Sequence, residues 1–143
     1  MAEGKPVKVI CILGGGKVSG TQLRKDTSEL EGLARAAGAK GLAWMALPEN
    51  EAEEVKGPIG KYFTVDQKLE VFAKVNAKPG DLLLFVSDAR KVVYAVIDSI
   101  RRTVAAQKNL GDPDTLAFVW VYDFPLVEWN EDEKRWDPSH HLF

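Results

Sequence analysis

The 143 residues are 45% hydrophobic and 28% charged, the balance of one globular domain rather than a disordered chain. A formal net charge of −2 gives no general attraction for phosphate polyanions, so any nucleic-acid contact has to come from a local basic patch. The single cysteine, Cys11, excludes an internal disulfide and a cysteine-rich zinc site, and no stretch approaches the ~20 apolar residues of a membrane helix.

In chain order, residues 1–6 read as a disordered leader, too short in apolar character for a signal peptide. A cytoplasmic protein without a membrane partner is expected. Val7 to Leu13 reads as a strand, rich in β-branched residues, with Cys11 as a core thiol and Gly14-Gly15-Gly16 as its end. From Thr21 to Ala37 the apolar residues Leu23, Leu30, Leu33, Ala34 and Ala37 recur at helical spacing. Thr21, Thr27 and Ser28 are alternative caps, and Gly38 supplies a left-handed stop.

Gly41 to Leu47 suits a buried strand, and the acidic run 49–54 suits a solvated loop. Ile59 to Phe63 is either a brief strand or an irregular edge. Thr64-Val65-Asp66-Gln67 matches a capping box, predicting a helix to about Asn76 with Leu69, Phe72 and Ala73 inward. Pro79-Gly80 is a turn, after which Asp81 to Val86, apolar on both faces, predicts a central strand.

Ser87 or Asp88 can cap a long helix to about Asn109, with Val93, Val96, Ile97, Ile100 and Val104 on its apolar side. Leu116 to Val127 predicts a last strand interrupted at Asp123-Phe124-Pro125, and the turn-like run 130–133 predicts a hairpin return through Trp136. The element order predicts an α+β fold of two layers, with a mixed or antiparallel sheet and helices on one face.

Chemistry is sparse. Gly16-Lys17 is followed by Val18, and Cys11 stands five residues before Gly16, so the run is not a P-loop. The dinucleotide pattern fails as well, because Ser19 stands where its third glycine belongs. A flexible connection is the remaining reading of the three glycines. His140 and His141 are adjacent and would point apart in a strand, so they do not chelate a metal unaided, and no metal site is expected. Arg90, Arg101 and Lys108 fall on one flank of the long helix, with Tyr94 nearby. They can touch a nucleic-acid backbone, although charge pattern alone favours a solvated edge.

Three stretches carry a resemblance: 37–44 (AGAKGLAW), 57–63 (GPIGKYF) and 79–86 (PGDLLLFV). They resemble successive motifs of the GAD domain, which bacterial aspartyl-tRNA synthetases share with the B subunit of the tRNA-dependent amidotransferase. A further stretch, 120–128 (WVYDFPLVE), followed by Arg135-Trp136 and 139–143 (SHHLF), resembles the point where the synthetase chain re-enters its class II catalytic fold. The amidotransferase subunit has no such segment. The resemblance implies a GAD insertion domain over 7–113 and a re-entry segment over 114–143.

It also implies an accessory, non-catalytic role within an aspartate–tRNA ligase that uses ATP and Mg²⁺ and forms an aspartyl-adenylate. The fragment itself is expected to need no cofactor and to be monomeric, and the parent to be a homodimer. In the family the tail motif reads His-His-Pro-Phe and helps recognise aspartate or its adenylate, which carries over to His140 and His141. Leu142 departs from it at the proline position. The family's Phe-Arg-x-Glu and Gly-rich arginine motifs are absent from these residues, so no aspartate activation is expected of the fragment. Partners are then the rest of the synthetase chain and tRNA, touched weakly through Arg90, Arg101 and Lys108. A free-standing docking module and a passive spacer are the rival readings.

Overall fold

The structure is a computed structural model that describes residues 5–50, 54–130 and 132–139. The chain divides into two compact units, Met1–Gly111 and Asp112–Phe143.

In the first unit, β1 (Val7–Ile12), β2 (Ala43–Ala46) and β3 (Leu82–Ser87) form an antiparallel sheet in the order β1-β3-β2. The strand that is apolar on both faces takes the centre, because only there can every residue be covered. Lys8 pairs with Val86, Ile10 with Leu84 and Ile12 with Leu82, while Trp44 pairs with Leu84 from the other side. That register puts Leu82, Leu84 and Val86 on one face and Leu83 and Phe85 on the other.

Helices α1 (Gly20–Ala36) and α3 (Arg90–Gln107) cover the first face. Leu23, Leu30 and Ala34 of α1 meet Val93, Val96 and Ile100 of α3 over Ile12, Leu82, Leu84 and Val86. Ser19 caps α1, its Oγ accepting from Gln22 N at 3.2 Å, whereas Thr27 is buried mid-helix with its hydroxyl donating to Leu23 O at 2.8 Å. Gly38, at φ +95°, ends the helix in the left-handed conformation expected of it. In front of α3, Asp88 accepts from Ala89 N at 2.8 Å and from Lys5, so Ala89 takes the cap position without a side-chain bond of its own.

Helix α2 (Val65–Lys74) carries the predicted capping box, with Thr64 and Gln67 bonded reciprocally at 3.0 and 3.3 Å. The expectation of helices on one face holds for α1 and α3 and not for α2. Val71, Phe72 and Val75 pack instead on the Leu83–Phe85 face, beside Met45 and Phe63. A central strand apolar on both sides leaves the second face needing cover, and α2 supplies it. Its rotation also differs from expectation, since Leu69 stays 59% exposed. Residues 59–63 form neither of the forms expected of them but a 3₁₀ turn over Gly60–Tyr62, closed by Tyr62 N donating to Ile59 O at 3.0 Å.

The second unit is built on an antiparallel hairpin, β4 (Val127–Asn130) with β5 (Arg135–Pro138). Asn130 Oδ1 accepts from Asp132 N and Glu133 N, both at 3.0 Å, and Trp129 meets Trp136 across the strands edge to face at 5.5 Å. The strand predicted from Leu116 forms only from Val127. Residues 116–126 have no ladder neighbour among the described residues, and β-propensity without a partner strand does not make a strand. Among the described residues no helix is long and apolar enough to cross a membrane.

Candidate functional site

The three glycines lie where β1 turns toward α1, and their amides settle what the turn can bind. Gly14 N donates to Asp81 Oδ1 at 2.7 Å, Gly15 N to Ile12 O at 3.0 Å, Gly16 N to Gly80 O at 2.8 Å and Lys17 N to Gly14 O at 3.2 Å. Every donor that would cradle a phosphate is already used within the fold. The turn is therefore not the flexible connection read from the sequence. Asp81 holds it: the carboxylate is 4% exposed, and its second oxygen accepts from Lys78 N at 2.8 Å. One buried carboxylate thus fastens the β1–α1 turn to the turn before β3, offsetting its own desolvation with charge-assisted bonds.

Cys11 lies against the same carboxylate, with Sγ 3.7 Å from Asp81 Oδ2. Burial, with the charge and hydrogen bond of Asp81 added, pushes its thiol up from 9.0 to about 11. A thiol held protonated is a poor nucleophile, which suits the core role read from the sequence.

Beside the glycine turn is a cleft of about 220 Å³, walled by Leu30, Leu33 and Val104 and edged by Asp26, Glu29 and Lys108. Its two carboxylates oppose an anionic ligand. Among the described residues no group of three or more His, Cys, Asp or Glu side chains is placed to hold a metal ion.

The basic flank of α3 does not act as one surface. Arg90 and Lys108 sit at opposite ends of an 18-residue helix, about 27 Å apart along its axis. Arg101 donates to Asp98 at 2.8 Å, and Lys108 Nζ donates to Leu13 O at 3.1 Å, so both cations are engaged locally. Arg90 belongs to a different group. Its guanidinium lies 5.7 Å from the Tyr94 ring centroid, and Lys8 Nζ of β1 lies 5.8 Å from the same ring. Lys5 pairs with Asp88 at 3.3 Å, in front of the same helix. Periodicity on one helix could not reveal this group, because Lys8 comes from β1 and Lys5 from the residues just before it. His140 and His141 lie outside the described residues.

The second unit has its own feature. Leu116, Phe118, Val119, Trp120, Val121 and Tyr122 are each at least 70% exposed. A run of large apolar side chains facing water is what a buried strand looks like without its neighbours.

Comparison with known proteins bears on both units. The GAD domain family matches residues 1–97. The chain is 42% identical over 139 residues to an aspartate–tRNA(Asp/Asn) ligase of Geotalea uraniireducens, covering 92% of this chain and 23% of that protein. It is 43% identical over 122 residues to an aspartate–tRNA ligase of Clostridium tetani, covering 84% of this chain and 20% of that protein. With an aspartate–tRNA(Asp/Asn) ligase of Treponema denticola it shares 40% over 120 residues, covering 84% of this chain and 20% of that protein. The chain spans about a fifth to a quarter of the length of these curated relatives. With a match that runs from β1 through the central strand into α3, the chain belongs to the GAD domain family.

Proposed function

We propose that this chain is the GAD insertion domain of an aspartate–tRNA ligase, joined to the segment by which the ligase chain returns to its catalytic sheet. The observation that carries the reading is how the similarity is distributed. Relatives about 40% identical match nearly all of this chain, while it spans only a fifth to a quarter of each of them. The exposed apolar run from Leu116 to Tyr122 supports the reading independently, because such a run is stable only when a larger sheet covers it.

On this reading the ligase joins aspartate to tRNA with ATP and Mg²⁺ in the cytoplasm, as a homodimer, while this chain alone is monomeric and catalytically silent. Activating a carboxylate requires donors that hold ATP in line with it and stabilise the charge on the α-phosphate. In this chain the glycine amides are bonded internally, and the cleft beside them is edged by carboxylates. His140 and His141 match the family's aspartate-recognising tail motif, so they contribute to the parent's substrate site. Whether the ligase charges one tRNA or two is decided outside these residues.

The test is aspartate-dependent ATP–pyrophosphate exchange by the purified 143-residue chain. No exchange above background is expected. Exchange that saturates with aspartate would overturn the accessory role.

A further inference from the structure

Cations gather where β1 begins and α3 starts. Lys8 and Arg90 approach one ring, Tyr94, at 5.8 and 5.7 Å, and Tyr94 is 47% exposed. Lys5 lies 3.3 Å from Asp88, Lys40 is close enough to act on the same carboxylate, and exposed Lys91 follows Arg90 in the first turn of α3. Two cations, Lys5 and Lys40, thus act on Asp88, two more, Lys8 and Arg90, share the Tyr94 ring, and Lys91 adjoins them in the sequence, all on a chain whose net charge is −2. Among the described residues, none of Lys8, Lys40, Arg90 and Lys91 is in an ion pair.

Two long side chains held against one ring lose less rotamer freedom on binding than free ones do. Asp88 draws Lys5 into the same group. Open to solvent, the surface suits a run of phosphates better than a single small anion, for which the described residues form no enclosed cradle.

We propose that Lys5, Lys8, Arg90 and Lys91, with Lys40 at the edge and Tyr94 as their support, form a docking surface for the phosphate backbone of an RNA helix. The choice of RNA rests on the ligase reading above; the surface itself rests on the charge arrangement. Arg101 and Lys108, held by Asp98 and by the Leu13 carbonyl, stand outside it. Contact is to the backbone and so indifferent to base sequence.

The test is equilibrium binding of the full chain to a fluorescent tRNA transcript between 50 and 200 mM salt. Four phosphate contacts predict that affinity falls roughly 100-fold over that range, and K8A or R90A each lowers the salt slope by about one contact. Y94L, which removes no charge, weakens binding, while Y94F restores it because the phenyl face still holds both cations. R101A and K108A bind as the unaltered chain does. Circular dichroism of each variant separates lost binding from lost fold. The proposal is overturned by no binding at 50 mM salt, by an unchanged slope in folded K8A and R90A, or by tighter binding to vesicles rich in phosphatidylserine than to the transcript. None of these outcomes touches the ligase reading, which is tested separately by pyrophosphate exchange and by aminoacylation.

Discussion

Removing the Asp81 carboxylate should loosen the whole first unit from one point. Asp81→Ala deletes two charge-assisted bonds, to Gly14 N at 2.7 Å and Lys78 N at 2.8 Å. Bonds of that kind contribute about 1.5–3 kcal/mol each, and the variant also escapes the cost of burying a charge. Both freed amides lie near the surface, where water replaces part of what is lost, so the net loss is about 3 kcal/mol. For a domain of this size that corresponds to a melting-point drop of roughly 10 °C. Asp81→Asn keeps the shape but can accept only one of the two bonds and points an amide NH₂ at the other donor, so it should cost about 2–4 kcal/mol.

The assay is urea unfolding followed by circular dichroism at 222 nm, which reports the three helices of the first unit. Cys11 gives a local readout. With its thiol raised to about 11, its thiolate fraction at pH 8 is about 100-fold below that of an unperturbed thiol at 9.0. Iodoacetamide should therefore modify the native protein slowly and folded Asp81→Asn several-fold faster, because the charge of Asp81 is one cause of the shift. If both variants keep their midpoint within about 0.5 kcal/mol, or if the alkylation rate does not move, the turn is not held by this carboxylate and the reasoning fails.

Three further outcomes follow from the same structure. At Gly57, φ +133°, an added Cβ would fall 2.4 Å from the carbonyl oxygen of Trp44, so Gly57→Ala should cost about 2–4 kcal/mol; at Gly80, φ +87°, the obstacle is the flexible end of Lys17, and Gly80→Ala should cost about 1–2 kcal/mol of backbone strain by the same urea assay. Asp88 is held below its usual 3.8 by the Ala89 amide and then by Lys5, so its contribution is fully present above that value and is lost as pH falls through the lower native one; acid titration of Asp88→Asn should show a shallower loss of stability below pH 4 than the parent sequence shows.

The sequence and the structure agree where periodicity and local chemistry act alone. The capping box at Thr64, the left-handed Gly38, the central position of β3 and the hairpin at Trp129–Trp136 follow from neighbours a few residues apart. The larger departures come from contacts distant in sequence. The face that α2 covers depends on which side of β3 remained bare, and the Leu116 strand needs a partner that is not among its sequence neighbours. The fixity of the glycine turn depends on Asp81, 67 residues away from Gly14. The cationic group shows the same limit: Arg90 is visible as one of three cations on a helix flank, yet its companion Lys8 belongs to β1 and Lys5 to the residues before it.

The central claim is that this chain is a working part of an aspartate–tRNA ligase, and exchanging it into a relative tests that most directly. The corresponding segment of the Clostridium tetani ligase, 43% identical, can be replaced by this one and the purified chimaera assayed for aspartylation of its tRNA. The account predicts aminoacylation with kcat/KM within about tenfold of the unaltered enzyme. A chimaera that folds and assembles as the unaltered enzyme does, yet charges no tRNA, would contradict it.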